Sequence, residues 1–203
     1  MAVLELTTAT RVKAYAEGFG GKSWGTTADA LLAQVIPDVS RRVEQYLCRH
    51  MKSEARTEYV TLQSGQRLVS LKGFPVAASP AAVLKNDSLR TFGSDTVVTA
   101  TNYFLDLVLG VVEFDGWVPV PGPGVLQVVY TGGMAADTAS FVAAYPDIAG
   151  AADRQVLYVV QRRLNPGGTL QQAGGASATY EGPLKLLPDV EQALAPYRRV
   201  RHG

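Results

Sequence analysis

The chain has 203 residues, of which 47% are hydrophobic, and its formal net charge is only +1. This composition allows one globular domain with a sizeable core, and the balanced charge argues against a broad basic face for duplex DNA. Cys48 is the single cysteine, which excludes a disulfide scaffold and fits a reducing compartment. The first residues lack a basic-then-apolar leader pattern, and no apolar run approaches the roughly 20 residues that cross a bilayer. We therefore expect a cytosolic protein with no membrane partner.

The N-terminal quarter of the sequence predicts two helices. The segment LTTATRVKAYA combines N-capping threonines with good helix formers and predicts a short helix. After a glycine-rich loop, a long helix is expected with Thr27 as its N-cap, and Pro37 predicts a kink or two abutting helices. Its apolar positions recur at helical spacing: Leu31, Leu32, Val35, Ile36, Val39, Val43, Tyr46 and Leu47. Arg41, Arg42 and Arg49 fall on the solvent-exposed face.

Residues 57–134 predict an inserted antiparallel β module. Six short runs rich in β-branched and aromatic residues alternate there with turn sequences, and Gly132-Gly133 closes the module. The runs are EYVTL, RLVSL, AAVLKN, NYFLDL, GVVEF and VLQVVYT. No Lys or Arg is interleaved with its aromatic residues, so we interpret them as core instead of a platform for stacking bases. These aromatic residues are Tyr103, Phe104, Phe114, Trp117 and Tyr130.

The last third of the sequence predicts a second long helix and then an arm. Pro146 and Asp147 suit the start of a helix that continues to Leu164. Residues 1–56 and 135–165 would form the helical core, and residues 166–203 a flexible loop and an extended C-terminal arm. The short helix that begins at Pro188 is marginal in water by itself, so it needs its own domain or a neighbour to lie against. The expected fold class is α+β, a small helical bundle with the inserted β module.

Nothing in the sequence has the spacing of a catalytic, cofactor or metal site. Gly21-Lys22-Ser23 resemble the end of a phosphate-binding loop, but Ala16 stands where the first glycine is required. Cys48 and His50 point about 200° apart on a helix and cannot pair directly. We interpret Cys48 as a packing residue and His50 as a cation at the C-terminal end of the long helix.

Three carboxylates lie near one another around a predicted hairpin: Asp106, Glu113 and Asp115. A pair of carboxylates for acid–base chemistry is conceivable. Solvated charges that discourage aggregation of an edge strand are the favoured interpretation.

The ordered set of segments resembles the tailed-bacteriophage head–tail adaptor family, also called connector or head-completion proteins. The resemblance runs from about Leu6 to Arg201. It is carried mainly by the long helix ending in YLCR, by VVYTGG followed by a Pro-Asp helix, and by the terminal APYRR. The resemblance implies a noncatalytic virion protein at the head–tail junction, assembled in the host cytoplasm.

The resemblance also implies partners. Members form a homo-oligomeric ring, commonly of twelve subunits, beneath the portal protein. The ring extends the channel through which genomic DNA passes non-specifically, and it presents a surface to the next neck or tail protein. Carried onto this chain, the portal contact falls on Leu194, Pro196, Tyr197, Arg198, Arg199 and Arg201. A loop with Ser177, Thr179 and Tyr180 would contact a subunit or the portal, and Arg41, Arg42 and Arg49 are candidates for the DNA channel.

Three other functions remain open at the level of sequence. One is another neck or tail-completion component, such as a stopper, which should be mainly a β barrel. The second is a small hydrolase built on the carboxylates of the predicted hairpin. The third is a nucleic-acid-binding module that uses the arginine-rich terminus. If the arm orders against the portal, deletion of residues 188–203 should leave a folded protein that no longer attaches.

Overall fold

The computed structural model describes residues 3–18, 24–164 and 185–198. The chain divides into two compact units. We call Arg49–Ala136 the β unit, and the residues that precede and follow it the helical unit. The α+β class is confirmed, and the β unit begins before the expected boundary at residue 57. Residues 51–53 are the reason, because they hydrogen-bond to residues 134 and 135 at the end of the last strand.

The helical unit is organised around one helix. Its helices are α1 (Ala9–Gly18), α2 (Asp29–Leu47), α3 (Thr138–Ala144), α4 (Pro146–Leu164) and α5 (Pro188–Leu194), with 3-10 turns at Thr26–Ala28 and Ala195–Tyr197. Helix α4 contacts each of the other four. Ala149, Ala151 and Ala152 are fully buried on α4, and such small side chains let neighbouring helices approach closely.

Helix α2 follows its predicted apolar stripe but differs at both ends. Its N-cap is Ala28, not Thr27, because the 3-10 turn Thr26–Ala28 precedes it. It is one continuous helix with Pro37 inside, not two abutting helices. Cys48 adopts a left-handed conformation at φ 54° and ends the helix.

His50 therefore lies beyond the helix, and its predicted role as a helix-terminal cation is wrong. Its backbone N–H donates to the carbonyl of Lys72 in the β unit, at 2.9 Å.

Helix α3 was not predicted. Asp137 caps it, since its Oδ1 accepts hydrogen bonds from the Ser140 N–H at 2.8 Å and the Ser140 hydroxyl at 2.9 Å. These hydrogen bonds lower the pKa of Asp137. Phe141 is the fully buried residue of this short helix and packs beside the Tyr145 ring, 5.4 Å between centroids.

All six predicted strands form, in two antiparallel sheets. The strands are β1 (Glu54–Leu62), β2 (Leu68–Ser70), β3 (Val83–Asn86), β4 (Tyr103–Asp106), β5 (Val111–Phe114) and β6 (Gly122–Gly132). One sheet has the order β1-β6-β3 and the other β2-β5-β4. A single core joins them: Leu62, Leu84, Leu126, Val128 and Tyr130 from the first sheet contact the same cluster as Val69, Val112 and Phe114 from the second. The two sheets thus pack face to face, and their outer faces point away from each other.

Four of the five predicted core aromatics belong to this cluster. Phe114 and Tyr130 are buried, and Tyr103 and Trp117 pack against the cluster. Phe104 is the exception, because it lies on the outer face of β4 and is 64% exposed.

Gly132 and Gly133 lie where three chain segments converge. A Cβ on Gly132 would stand 2.1 Å from the Gly73 carbonyl oxygen, and one on Gly133 would stand 2.2 Å from the carbonyl oxygen of Lys52. Gly133 also has φ +138°, a conformation that L side chains rarely adopt. The Met134 and Ala135 N–H groups donate to the Met51 carbonyl, at 2.8 and 3.2 Å, so the first and last residues of the β unit lie side by side.

Substitution of Gly133 by alanine should destabilise the β unit by about 3 kcal/mol or more, since the new methyl group meets fixed backbone and not a movable side chain. Urea denaturation followed by Trp117 fluorescence measures this. Gly116→Ala is the matched control, because Gly116 has φ +63° and open space around it. Equal losses for the two variants would contradict the crowding argument.

Candidate assembly surfaces

The C-terminal segment packs on its own helical unit. Val190 and Leu194, one turn apart on α5, are fully buried, and Leu186 and Leu187 before the helix are buried too. Gln155 of α4 is fully buried and holds this segment with both ends of its amide: its Oε1 accepts from the Leu187 N–H at 2.8 Å. Its Nε2 donates to the Lys185 carbonyl at 3.3 Å. A buried amide satisfied in this way fixes the position of the backbone it bonds.

Two polar contacts add to this packing. Arg154 of α4 forms an ion pair with Asp189 at 3.0 Å. The Tyr46 hydroxyl of α2 donates to the carbonyl of Glu191 at 3.3 Å. The segment Lys185–Leu194 therefore differs from the expected extended arm, because its apolar side is covered within its own subunit. Leu194, expected at the portal contact, is not available as an anchor.

The residues that follow α5 remain at the surface. Pro196 and Arg198 are exposed, and Tyr197 is half-buried. The Tyr197 hydroxyl donates to Asp147 Oδ2 at 3.3 Å, and the pKa of Tyr197 is raised by desolvation and by the Asp147 carboxylate. The Arg198 guanidinium lies 5.1 Å from the centre of the Tyr46 ring, within the range of a cation–π contact.

Several residues expected at the portal or subunit contacts lie outside the described residues: Ser177, Thr179, Tyr180, Arg199 and Arg201. The sequence Gly21-Lys22-Ser23, which was not expected to form a phosphate-binding loop, lies outside them too.

The three arginines expected to line a DNA channel are not equivalent. Arg41 lies on α2 with its side chain 59% exposed, 4.0 Å from the Asp38 carboxylate. Arg42 is half-buried on the same helix. Arg49 lies beyond the end of α2, so its placement on the solvent-exposed face of that helix is wrong. Its guanidinium stacks 3.7 Å from the Phe74 ring centre, and its Nη2 donates to the Phe74 carbonyl at 2.6 Å.

The carboxylates of the β4–β5 hairpin are spread along it. Asp106 Oδ1 accepts from the N–H groups of Val108 and Leu109, at 2.9 and 2.8 Å, so this carboxylate shapes the turn. Glu113 is exposed on β5 between Leu68 and Phe104, the residues that pair with it on the neighbouring strands. Asp115 is exposed beyond the end of β5. In the described residues, no group of three or more His, Cys, Asp or Glu is arranged to hold a metal ion.

The outer face of the second sheet is apolar, a feature that the sequence analysis missed. We call it the tip face. Its exposed apolar members are Leu68, Phe104, Val108 and Leu109, at 57%, 64%, 73% and 58% exposure. The turn that carries the last two is held firmly: the Val76 N–H donates to the Leu107 carbonyl at 2.7 Å and the Leu71 N–H to the Gly110 carbonyl at 2.8 Å.

The outer face of the first sheet is the second apolar surface, which we call the sheet face. Its exposed members are Tyr59, Val83, Val97 and Val129. Val83 pairs directly with Val129 across β3 and β6. The Phe92 ring extends the surface, with its centroid 5.5 Å from that of Tyr59.

Asp87 builds the loop that carries Phe92. Its carboxylate accepts hydrogen bonds from the Leu89, Thr91 and Phe92 N–H groups and from the Thr91 hydroxyl, at 2.7–2.9 Å. These hydrogen bonds, that of the Thr91 hydroxyl first, lower the pKa of Asp87 to about 2. Because the folded pKa lies below its unfolded value, Asp87 stabilises the fold at pH above about 4, and this contribution is lost as the pH falls to about 2.

Asp87→Asn should therefore lower the melting temperature near neutral pH, since an amide presents one acceptor oxygen where the carboxylate presents two. The difference from wild type should shrink as the pH falls from 4 to 2. Thermal melts of both proteins between pH 2 and 6 measure this. A difference that stays constant across the range would contradict the assignment of the lowered pKa.

The whole chain has a fold similar to that of solved chains from gene transfer agent particles. One protein with this fold is in the neck of a native gene transfer agent particle, computed with C12 symmetry: the TM-score is 0.54 at 20% identity, covering 100% of this chain and 99% of that chain. Another, in the neck of the empty particle with C6 symmetry, has a TM-score of 0.55 at 20% identity, covering 90% of this chain and 85% of that one. A third, in the virion of the native particle, has a TM-score of 0.56 at 20% identity, covering 100% and 99%.

No protein-family model and no curated protein matches the chain. At 20% identity, the structural likeness establishes the shared fold, and this fold agrees with the resemblance to head–tail adaptors. No helix among the residues that the structure describes is long and apolar enough to cross a membrane.

Proposed function

We propose that this protein is a noncatalytic neck component of a tailed, phage-like virion, located at the head–tail junction. It forms a homo-oligomeric ring of twelve subunits between the portal and the tail, and it extends the channel through which DNA passes. The observation that carries this proposal is the structural match to a chain from the neck of a gene transfer agent particle. The match covers 100% of this chain and 99% of that chain.

The composition of the chain supports a conduit in preference to a DNA-binding protein. A protein that neutralises many phosphates holds DNA through the release of counterions, and it would hinder sliding. With a formal charge of only +1 on 203 residues, this chain should bind DNA phosphates weakly. Arg41 stands beside Asp38 on α2, so even this exposed cation is partly compensated. We propose Arg41 and Arg42 as the residues of α2 that face the channel.

The surface around α5 is the proposed portal contact. Pro196, Tyr197 and Arg198 belong to it, with Arg199 and Arg201 of the cationic terminus. Leu194 and Val190 have a different role in this proposal: their buried side chains fix the position of α5 on its own subunit, and this keeps the contact surface in place. The portal then meets a preformed patch in which Arg198 lies against Tyr46 and Tyr197 is hydrogen-bonded to Asp147. A preformed patch loses less conformational entropy on binding than a disordered arm.

Electron microscopy of emptied, portal-bearing heads mixed with the protein tests the proposal. We expect a ring of added density at the portal vertex. Absence of any ring on such heads, or turnover of a substrate by the free protein, would overturn it.

A triple variant, Arg198→Glu, Arg199→Glu and Arg201→Glu, should abolish attachment to the heads without changing the fold, because surface charge reversal acts on encounter and register. Arg163→Glu is the matched control, since Arg163 is an exposed arginine of the same unit. Wild-type attachment by the triple variant would show that the portal contact lies elsewhere.

A further inference from the structure

The β unit has two exposed apolar faces that differ from each other, and they point in opposite directions. The tip face lies on the outside of the β2-β5-β4 sheet, and the sheet face on the outside of the β1-β6-β3 sheet. Monomeric proteins rarely expose contiguous apolar surfaces of this kind without using them. A subunit of a cyclic ring needs two different, complementary surfaces on opposite sides, whereas a two-fold dimer needs one self-complementary surface.

The charges on the two faces are complementary. The outward positions of β2, β4 and β5 carry the carboxylates of Glu113 and Asp106 and no Lys or Arg. The outward positions of β1, β3 and β6 carry the ammonium group of Lys85 and no carboxylate. Among the outward strand positions, those of the β2-β5-β4 sheet thus carry carboxylates, and those of the β1-β6-β3 sheet carry an ammonium group.

The two apolar faces and their opposite charges indicate that each face binds another copy of this chain. We propose that the tip face of one copy packs on the sheet face of the next copy, so that the β units form a continuous belt of head-to-tail contacts around the ring. Phe104, Val108 and Leu109 enter the contact from one copy. Tyr59, Val83 and Val129 receive them in the other. This inference rests on the proposed function for the ring itself and adds the surfaces that close it.

The geometry of both faces suits a preformed contact. The tip is fixed by the carboxylate of Asp106 and by Gly110, whose φ is +59°. The sheet face is a paired β surface, and its Tyr59 hydroxyl accepts a hydrogen bond from Gln127 Nε2 at 3.1 Å. Rigid apolar groups at the centre of a contact, with charges around them, are where binding energy concentrates.

Two charge-introducing variants test the contact separately. Phe104→Asp places a charge on the tip face, and Val129→Asp places one on the sheet face. Each should raise the protein concentration for half-maximal ring formation by about tenfold or more, in solution or on portal-bearing heads, since a central residue of a contact has effects of this size. Val118→Asp is the matched control, because Val118 is 62% exposed and belongs to the loop between β5 and β6, outside the strands of both sheets.

A mixture of the two variants gives the decisive readout. A Phe104→Asp subunit keeps a good sheet face, and a Val129→Asp subunit keeps a good tip face, so a mixture can form one contact and no further ones. Sedimentation at concentrations where wild type forms rings should show discrete pairs in the mixture and monomers in each variant alone. Circular dichroism and thermal melts confirm that each variant is folded.

The outcomes separate the inference from the function. If wild type forms rings and both variants do too, the belt contact is wrong while the neck assignment survives. Pairs formed by either variant alone would indicate a two-fold contact, and this result would also overturn the proposed head-to-tail contact. If wild type forms no ring in solution or on heads, the proposed function fails and the inference fails with it.

Discussion

Leu194→Ala should lower the free energy of unfolding of the helical unit by about 3 kcal/mol. Leu194 is fully buried on α5, and truncation of such a side chain removes its burial and leaves a cavity. The magnitude matters because α5 has only seven residues and does not form a stable helix by itself. Chemical denaturation followed by circular dichroism and by Trp24 fluorescence measures the loss, since Trp24 precedes α2 in the helical unit.

The control for this variant is Leu164→Ala. Leu164 ends α4 in the same unit but is 52% exposed, so its truncation should change the free energy of unfolding by less than about 0.5 kcal/mol. By the same reasoning, deletion of residues 188–203 should destabilise the helical unit, in contrast to the folded truncation expected from a free arm. A truncated protein as stable as wild type would show that α5 does not support its own subunit.

Arg11→Met should also lower the free energy of unfolding of the helical unit, in this case by breaking a buried ion pair. Asp153 of α4 is 2% exposed, and its Oδ2 receives Nη2 and Nε of Arg11 at 2.8 and 3.2 Å. The buried hydroxyl of Thr7 donates to the other carboxylate oxygen. Removal of the cation leaves the buried carboxylate without its guanidinium partner. Because the Arg11 side chain is 37% exposed, we expect a loss of about 2–3 kcal/mol, below the full cost of breaking a buried pair.

Arg41→Met provides the comparison. Arg41 and Asp38 are 59% and 48% exposed and 4.0 Å apart, so this loss should stay below about 0.5 kcal/mol. Addition of Asp153→Asn to Arg11→Met should recover part of the stability, since the amide removes the uncompensated charge. A double variant less stable than Arg11→Met alone would contradict the assignment of the loss to a buried charge.

The elements with strong periodicity were predictable from the sequence. Helices α2 and α4 and all six strands follow apolar patterns that local geometry enforces. Helix α3 was missed because its seven residues contain one large buried side chain, Phe141, too few to show a period. The available signal was the capping pair Asp137 and Ser140, which marks a helix start without a hydrophobic stripe.

The candidate site was harder to predict because its geometry depends on distant residues. Val190 and Leu194 show the spacing of an apolar side in the sequence, but the surface they cover is set by Gln155, more than thirty residues away. In the same way, the sequence marks the β4–β5 turn at Leu109-Gly110 but does not show that its apolar side chains face solvent. Exposure of Val108 and Leu109 follows from the register of β4 on β5 and from the hydrogen bonds of Asp106.

The adjacent ends of the β unit have a consequence for how such proteins diversify. Met51 and Ser53 are hydrogen-bonded to Met134 and Ala135, so the β unit begins and ends at one place. A segment whose two ends lie side by side can be replaced as one piece. Natural selection can lengthen it, shorten it or exchange it for another without refolding the bundle, provided that the glycine pair at its base is kept. Related chains should therefore vary most between these two points in size and surface chemistry, while the helices on either side retain a common length.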